Sequence, residues 1–473
     1  MEGAFAGGYD PALELAQRSN KMAEDADSAA DAAEFEELDE LTFNGPGAGQ
    51  LTASGHLRRR EQHWIDRIVH GAVTGHYYVL LGPKGTGKAT MIFDAMQANE
   101  AEGVAMVDAH PDLEVFRLRL GKALDYKYNE DSQTGLFQRR DPREGGPALD
   151  IERALNKLEK VALRSARRTN RPLVLILNNV HYFHNDEPGR NMLLQLQQRA
   201  ESWAASGIVT LVFCTDDSWP LSLMRKTACC MHVLSIYDLT KEEALQALTR
   251  MRKRIKEHSD TGSTDEESIL EAVSMVGGRL LYLNRVSKAR DMVDMARHML
   301  RIEKGWLLSQ IGLIPDCDDD VMNEQKWSSC SWLLLQEFVK LRQKQEEEHR
   351  ARKGEDTEEA LEDDYALLPV PSIPYWRCRQ IMTRPDFLED LDRANIIAVD
   401  VHHDVRPDSM LILHAAREVI EEEGFQDMLD GVKARMEEIE SFSRTRELAF
   451  KDVNKGDRIR LSVDKGGARM VDS

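Results

Sequence analysis

Five short apolar segments recur along the first half of the chain, separated by longer stretches of mixed polar and apolar residues. The apolar segments are residues 77–81, 104–109, 173–177, 208–217 and 231–236. Helices are predicted between them at 111–128, 148–168 and 189–205. An unbroken apolar run is typical of a strand that is buried on both faces of a parallel sheet. Strands that alternate with helices predict an α/β fold, a doubly wound parallel five-stranded sheet with its ligand at the carboxyl ends of the strands.

The first strand leads into a glycine-rich turn and then into a helix. The turn is Gly82-Pro83-Lys84-Gly85-Thr86-Gly87-Lys88, which has the G-x-x-x-x-G-K spacing in the strand-to-helix context that the motif requires. Glycine lets the backbone turn so tightly that successive N–H groups converge on phosphate oxygens, and the helix N-terminus adds partial positive charge. Lys88 would reach the outer phosphates. The sequence therefore predicts a phosphate-binding loop rather than a glycine-rich turn without a ligand.

The residue after the loop lysine departs from this pattern. The position normally holds Ser or Thr, whose hydroxyl ligates Mg²⁺, but here it is Ala89. Thr90 follows, yet one residue along a helix rotates the side chain by about 100°, away from the metal position. Only a shift in register would bring Thr90 there. The sequence therefore argues against a Mg²⁺ site of the usual kind.

The third strand ends in two amides, Asn178 and Asn179. In a nucleotide hydrolase this strand normally ends in two carboxylates, of which the first holds the Mg²⁺ shell and the second orients or deprotonates the attacking water. An amide oxygen accepts a hydrogen bond, but it brings no negative charge and is not a base. Together with Ala89, the pair predicts weak or absent hydrolysis, while a simple role in closing the strand stays open. Thr215, at the end of the fourth strand, is the predicted sensor of the γ-phosphate.

The chain has 473 residues and a formal net charge of −20 at pH 7. This length accommodates two or three domains. The charge argues against a general nucleic-acid coat protein, because phosphate binding requires clustered Lys and Arg. Six cysteines without a C-x-x-C pair predict thiols of a reducing compartment. Because neither a membrane-length apolar run nor a basic secretory leader is present, we expect a cytoplasmic protein without membrane contact, with the nucleus left open.

A second predicted unit lies near the carboxyl end. Residues 373–416 predict two helices and then two strands about a turn at Arg406-Pro407-Asp408, the order of a winged helix. A helix that reads DNA should be basic, so that it neutralises phosphates in the groove. The second helix instead carries Asp386, Glu389, Asp390 and Asp392 against Arg384 and Arg393. We therefore expect a protein partner rather than nucleic acid. His402 and His403 would point to opposite faces of a strand, which argues against a shared metal ion.

The order of these motifs resembles AAA+ or STAND-type P-loop ATPases. The resemblance rests on GPKGTGK between strand and helix, the apolar strand with its polar pair, the sensor strand, and then LTKEEALQAL and GGRLLYLNRVSKA. It is similar to the archaeal-ATPase and origin-initiator group and to fungal AAA proteins with a C-terminal winged helix. It covers residues 56–300, and residues 325–425 less strongly.

The resemblance implies ATP or ADP as the ligand, and it implies roles for three arginines. Arg279 matches the lid arginine that contacts the γ-phosphate in that family, and Arg285 is a second candidate. Arg225 lies where such proteins carry an arginine finger that acts across subunits, so that a homo-oligomer is left open. The alternative for Arg279 and Arg285 is a solvated helix charge.

The predicted organisation divides the chain into five parts. They are a disordered acidic leader at 1–55, a P-loop nucleotide-binding domain at 56–238, a helical lid at 239–305, a winged-helix-like domain at 325–425 with a charged insert at 342–366, and a charged helix and tail at 426–473. The leader is a second candidate for contact with a protein partner. The leading functional hypothesis is a nucleotide-dependent conformational switch. The alternatives are an active ATPase with non-standard catalytic groups and a DNA-binding initiator-like ATPase.

Overall fold

The computed structural model describes residues 1–8, 11–15, 59–128, 146–257, 266–353, 368–451, 459–464 and 467–472. Most of the predicted acidic leader and the second half of the charged insert lie outside these residues. The first residues differ from the predicted disordered leader. Phe5 is only 7% exposed, within the main hydrophobic core, and its carbonyl accepts a hydrogen bond from Gly103 N–H at 3.0 Å. Leu13 is likewise buried, at 9% exposure, so the acidic composition of the leader concealed two apolar contacts with the domain.

The helices and strands are numbered here in chain order. The strands are β1 Tyr77–Leu81, β2 Val104–Asp108, β3 Leu173–Asn178, β4 Val209–Thr215, β5 Met231–Ser235, β6 Ile373–Pro374, β7 Ile397–Val399, β8 Asp404–Pro407, β9 Ile459–Asp464 and β10 Gly467–Asp472. The helices are α1 Gln62–Val69, α2 Lys88–Ala98, α3 Leu113–Ala123, α4 Gly146–Thr169, α5 Glu187–Ser206, α6 Trp219–Met224, α7 Lys241–Glu257, α8 Glu266–Val276, α9 Leu280–Lys288, α10 Met292–Gln310, α11 Met322–Lys353, α12 Tyr375–Met382, α13 Pro385–Arg393, α14 Met410–Ile420 and α15 Phe425–Lys451.

Strands β1 to β5 form one parallel sheet in the order β2-β3-β4-β1-β5. Alternate side chains of β1 enter the cores on the two faces of the sheet, with Tyr77 on one face and Tyr78 on the other. The predicted α/β class, with a parallel five-stranded sheet, is therefore confirmed. Because β1 lies between β4 and β5, the loop that follows β1 is flanked by the carboxyl ends of both neighbours.

Helices α7 to α10 follow the sheet and form a lid with its own hydrophobic core. The lid contacts the phosphate-binding loop directly, because Leu281 N–H at the start of α9 donates to Gly85 O at 3.2 Å. The last of these helices, α10, continues to Gln310. The lid is thus positioned on the loop by the backbone itself.

The winged helix consists of α11, α12 and α13 with a small antiparallel sheet in the order β6-β8-β7. Its core includes the fully buried Trp332 and Phe338 of α11. Helix α11 continues through Lys353, so the first part of the predicted charged insert extends a helix. Beyond the wing lie two helices, α14 and α15, which are interrupted at Gly424, where φ is +86°.

The predicted wing turn at residues 406–408 is wrong. The turn lies four residues earlier, where the Asp400 carboxylate accepts hydrogen bonds from His402 N–H at 2.8 Å and Asp404 N–H at 2.9 Å. Arg406 instead belongs to β8 and pairs with Ala398 of β7. An Asp side chain that accepts hydrogen bonds from nearby backbone amides favours a turn at its own position. The turn therefore lies at Asp400 rather than at Pro407.

Among the helices that the structure describes, none combines the length and the apolar character needed to cross a membrane.

Candidate nucleotide-binding site

The loop after β1 owes its shape to two glycines in the left-handed region. Gly85 has φ +83° and Gly87 has φ +94°, a conformation that other residues adopt only with strain. A Cβ atom at Gly85 would also lie 2.8 Å from the Leu281 Cβ of the lid. Glycine is therefore required here both for the turn and for the close approach of α9. The Thr86 hydroxyl donates to Pro83 O at 2.9 Å and ties the loop together from within.

Lys88 is folded into this loop. Its side chain is only 8% exposed, and its ammonium donates to the carbonyls of Gly82 and of Pro83, the latter at 2.9 Å. The same ammonium lies 2.8 Å from Asp216 Oδ1. Lys88 is thus held at the mouth of the loop, where a phosphate would compete with these oxygens for it. The loop fits a nucleotide phosphate in shape and in charge.

Asp216 was missed by the sequence reasoning, which chose its neighbour Thr215. Thr215 is fully buried, and its hydroxyl donates to Asp217 O at 2.8 Å, so Asp216 is the residue of this strand end that contacts Lys88. The Asp216 N–H in turn donates to His181 Nδ1 at 3.2 Å. Burial alone would raise the pKa of Asp216, but Lys88 and His181 outweigh it and hold the pKa below its usual value. The site therefore contains a carboxylate that is ionised and paired.

The amide pair has two distinct local roles. Asn178 is buried at the end of β3, and its Nδ2 donates to Asp108 Oδ1 at 2.7 Å, which joins β3 to β2. Asn179 has φ +55° and ψ +44° and precedes the 3₁₀ turn Val180–Phe183. Asn tolerates this left-handed conformation better than most residues with a side chain. Each position thus has a local structural reason for an amide.

The donors of the site do not fit a Mg²⁺ ion held in the usual way. Ala89 has no side-chain oxygen, and Thr90 lies beside it in the first turn of α2. Within the described ranges, no group of three or more His, Cys, Asp or Glu side chains is arranged to hold a metal ion. The hydroxyl ligand of the usual Mg²⁺ site is therefore missing at residue 89.

Arg279 contacts three parts of the molecule at once. It is 2% exposed, and its Nε donates to Asp238 Oδ1 at 2.6 Å, just after the sheet. Its Nη1 donates to Lys84 O of the loop at 2.8 Å and to Asp408 Oδ2, beside the wing, at 2.9 Å. Burial alone would lower the pKa of Arg279, but Asp238 and Asp408 raise it well above its usual value. The predicted γ-phosphate contact is thus a charged bridge between sheet, lid and winged helix.

The other two candidate arginines are placed differently. Arg225 contacts His403 of the wing, so that both belong to an interface within the chain. Arg285 lies on α9, partly exposed, near Glu303. Any function of Arg225 across subunits would require it to leave His403.

The face of the winged helix that contains α13 packs against the carboxyl end of the sheet. Asp392 Oδ2 accepts from Ser218 N–H at 2.7 Å, and Glu389 Oε2 accepts from Asn185 Nδ2 at 2.8 Å. Burial, and then the nearby Asp217, raises the pKa of Asp392 from 3.8 to about 8. Burial, and then Asp216, raises the pKa of Asp217 to about 7. The interface therefore contains two carboxyl groups that hold protons near neutral pH.

A parallel five-stranded sheet with a phosphate-binding loop after β1 forms an α/β P-loop fold, which a winged helix follows. Residues 308–440 match the family model described as "Fungal AAA protein, C-terminal winged helix domain". The resemblance to fungal AAA proteins is therefore confirmed for that segment. No curated protein matches the sequence significantly.

Solved structures of three ATPases or related proteins are similar to the chain at low identity. A Walker-type ATPase of Pyrococcus abyssi is 14% identical over 76% of this chain and 96% of its own, with a TM-score of 0.46. The Aeropyrum pernix ORC1 protein in complex with DNA is 13% identical over 79% and 95%, with a TM-score of 0.34. The Thermotoga maritima RuvB Holliday junction branch migration motor is 12% identical over 77% and 96%, with a TM-score of 0.32. Likeness at this level says nothing about the activity or partners of this chain.

Proposed function

We propose that the protein is an ATP- or ADP-binding conformational switch whose winged helix is docked on the phosphate-binding loop in one state and released in the other. The observation that carries this proposal is the position of Arg279. Its guanidinium joins the Lys84 carbonyl of the loop to Asp408 of the winged-helix unit. A ligand that changes the conformation of the loop therefore also acts on the Arg279–Asp408 ion pair, which holds the winged helix.

The coupling follows from competition for the same charges. A nucleotide phosphate at the loop draws Lys88 away from Asp216 and offers Arg279 a new anionic partner. If Arg279 turns to that phosphate, Asp408 loses the cation that compensates its buried charge. Undocking returns the carboxylate to water and relieves this cost. Arg279 thus contacts Asp408 in the docked state and phosphate in the nucleotide-bound state, so nucleotide binding disfavours docking. A ligand shifts a two-state equilibrium only through such a difference in contacts.

Slow hydrolysis is part of the proposal. Ala89 supplies no metal ligand, and Asn178 and Asn179 supply no base. Asn178 moreover uses its amide to bind Asp108. A bound triphosphate would then persist and hold the switch in its nucleotide state.

One observation favours an active ATPase as a second candidate function. Asp216 is an ionised carboxylate beside Lys88, one strand away from the position where hydrolases of this type carry their acidic pair. Released from Lys88 by a phosphate, it could orient or deprotonate a water molecule. In that case the catalytic carboxylate has moved from the end of β3 to the end of β4.

Hydrogen exchange and turnover measured on the same protein distinguish the two candidates. For the switch, we expect the Ser218 amide, which Asp392 protects in the docked form, to exchange faster with saturating ATP than without nucleotide. We expect ATP turnover barely above background, because a positioned base typically contributes about 10²–10⁴-fold. Equal Ser218 exchange in both samples would contradict the switch. Robust turnover that Asp216→Asn abolishes and Asn179→Ala leaves unchanged would establish the ATPase instead.

We also propose that the winged helix contacts protein rather than duplex DNA. Helix α13 is acidic, and Glu389 and Asp392 already bind the nucleotide-binding domain. We expect no duplex binding tighter than micromolar at physiological salt, since a DNA-binding surface must neutralise phosphates. Fluorescence anisotropy with a labelled duplex at two salt concentrations measures this. A micromolar or tighter dissociation constant that weakens with salt would restore the initiator-like hypothesis.

A further inference from the structure

A pair of histidines lies at the opposite end of β1 from the phosphate-binding loop. His76 immediately precedes β1, and His232 belongs to the neighbouring strand β5, where it pairs with Tyr78. The centroids of the two imidazole rings are 4.2 Å apart, and the ring planes meet at 85°. Because β5 is an edge strand of the sheet, solvent reaches the pair, with His232 exposed and His76 partly exposed.

The backbone fixes the positions of both histidines. Tyr77, which follows His76, donates its N–H to Cys230 O at 3.1 Å. The pairing of the two strands continues through Tyr78 and His232, whose rings are 6.0 Å apart between centroids. Since the two strands already hold the histidines side by side, a ligand that bridges them orders little additional chain.

Neither imidazole has a polar partner in the part of the chain that the structure describes. Their contacts there are with aromatic rings, namely each other and Tyr78. A neutral imidazole has one nitrogen that carries a lone pair, and this is the atom through which histidine binds metal ions. The edge of the sheet therefore presents two such nitrogens together.

The separation of the rings is close to that of two imidazoles on one metal ion. A metal ion lies about 2.0–2.1 Å from the imidazole nitrogen that binds it, and therefore roughly 3.2 Å from the ring centroid. Two such ligands at an angle of about 90–110° place their centroids roughly 4.5–5.2 Å apart. Because the observed separation is 4.2 Å, a small rotation of the exposed His232 ring is enough to direct both nitrogens to one ion.

We propose that His76 and His232 form a binding site for a divalent transition-metal ion, with water completing the coordination. Imidazole suits Cu²⁺, Ni²⁺ and Zn²⁺, and the general order of affinity places Cu²⁺ first. Mg²⁺ and Ca²⁺ prefer oxygen ligands and are excluded. The site has two protein ligands, fewer than the groups of three or more that are absent from the described residues, so it binds more weakly than a four-ligand structural zinc site.

This site is independent of the proposed nucleotide switch, because the phosphate-binding loop follows the carboxyl end of β1 and His76 precedes its amino end. A bound ion would join the edge strand β5 to the segment before β1. Metal binding would thereby stabilise the edge of the sheet without occupying the loop.

Electron paramagnetic resonance and calorimetry with Cu²⁺ test the site on the full chain, prepared without a histidine tag. The spectrum of the wild type with one equivalent of Cu²⁺ should show coupling to two imidazole nitrogens. His76→Gln and His232→Gln each remove one ligand, and each should weaken Cu²⁺ binding by at least the roughly 10- to 100-fold that loss of an outer-shell partner costs. His298→Gln, at an exposed histidine of α10, is the matched control and should bind Cu²⁺ as the wild type does.

Competition then establishes which class of ion the site takes. Zn²⁺ should displace Cu²⁺ from the wild type at sufficient excess, whereas the same excess of Mg²⁺ should not; the reverse of either result would overturn the proposal. So would coupling to a single imidazole nitrogen, an affinity that either substitution at the pair leaves unchanged, or an equal loss in His298→Gln. The wild-type spectrum counts the ligands without any substitution, so the test holds even where a variant fails to fold.

Discussion

Lys88→Ala is expected to abolish the binding of ATP and ADP. In the wild type, a nucleotide at about 100 times its dissociation constant should stabilise the fold by about 2.7 kcal/mol. The variant should show no rise in melting temperature with either nucleotide, because the loop loses the ammonium that reaches the outer phosphates. Thermal unfolding with and without nucleotide measures the difference.

The control for this experiment must allow for Asp216. Removing Lys88 leaves the partly buried Asp216 carboxylate without its partner at 2.8 Å, so Lys88→Ala also lowers stability. The double variant Lys88→Ala, Asp216→Asn removes both charges and should recover part of that stability while still failing to bind. Lys157→Ala, at an exposed position of α4, should behave as wild type. A nucleotide-dependent shift in the double variant would show that the loop does not bind through Lys88.

Arg279→Ala is expected to cause a large loss of stability. It leaves Asp238 and the buried Asp408 without their cation, and breaking a buried ion pair in this way costs roughly 3–5 kcal/mol. Because the bridge joins three units, we expect unfolding in urea to separate into two transitions, with the winged helix released first. Far-UV circular dichroism and proteolysis along the urea series measure this.

Two further variants make the result specific to the bridge. Arg301→Ala removes an exposed arginine of α10 and should change stability by less than about 0.5 kcal/mol. Asp408→Asn keeps the shape of the side chain but weakens the pair, so its cost should lie between the two. A single transition in Arg279→Ala at the wild-type urea midpoint would mean that the bridge does not hold the domains together.

The elements that could be predicted from the sequence are those set by local pattern. The loop from Gly82 to Lys88 is specified by spacing within seven residues, and the strands are specified by uninterrupted apolar runs. The contacts of Arg279 could not be predicted, because Asp408 lies 129 residues away in the chain and meets it only when the winged helix docks. The family resemblance predicted that Arg279 lies beside the loop, but it did not predict which carboxylates Arg279 contacts.

The sequence also does not show which of two neighbouring polar residues contacts the loop. Thr215 and Asp216 are both polar, and which of them faces Lys88 depends on how β4 ends. From the sequence, Asn179 shows only that the usual catalytic carboxylate is absent. Its left-handed backbone conformation supplies a separate reason for Asn at this position. The two adjacent acidic residues after Thr215 were the available signal for a charged group at this strand end.

The raised pKa values of Asp217 and Asp392 make docking of the winged helix a proton-consuming step. Both carboxyl groups hold protons in the docked form up to about pH 7 and about pH 8, whereas exposed to water they would be ionised above their ordinary value of 3.8. The docked state therefore binds more protons, its advantage is fully present only below that ordinary value, and it is lost as the pH rises through 7 and 8. Alkalinity and nucleotide would then act in the same direction, both favouring the released winged helix.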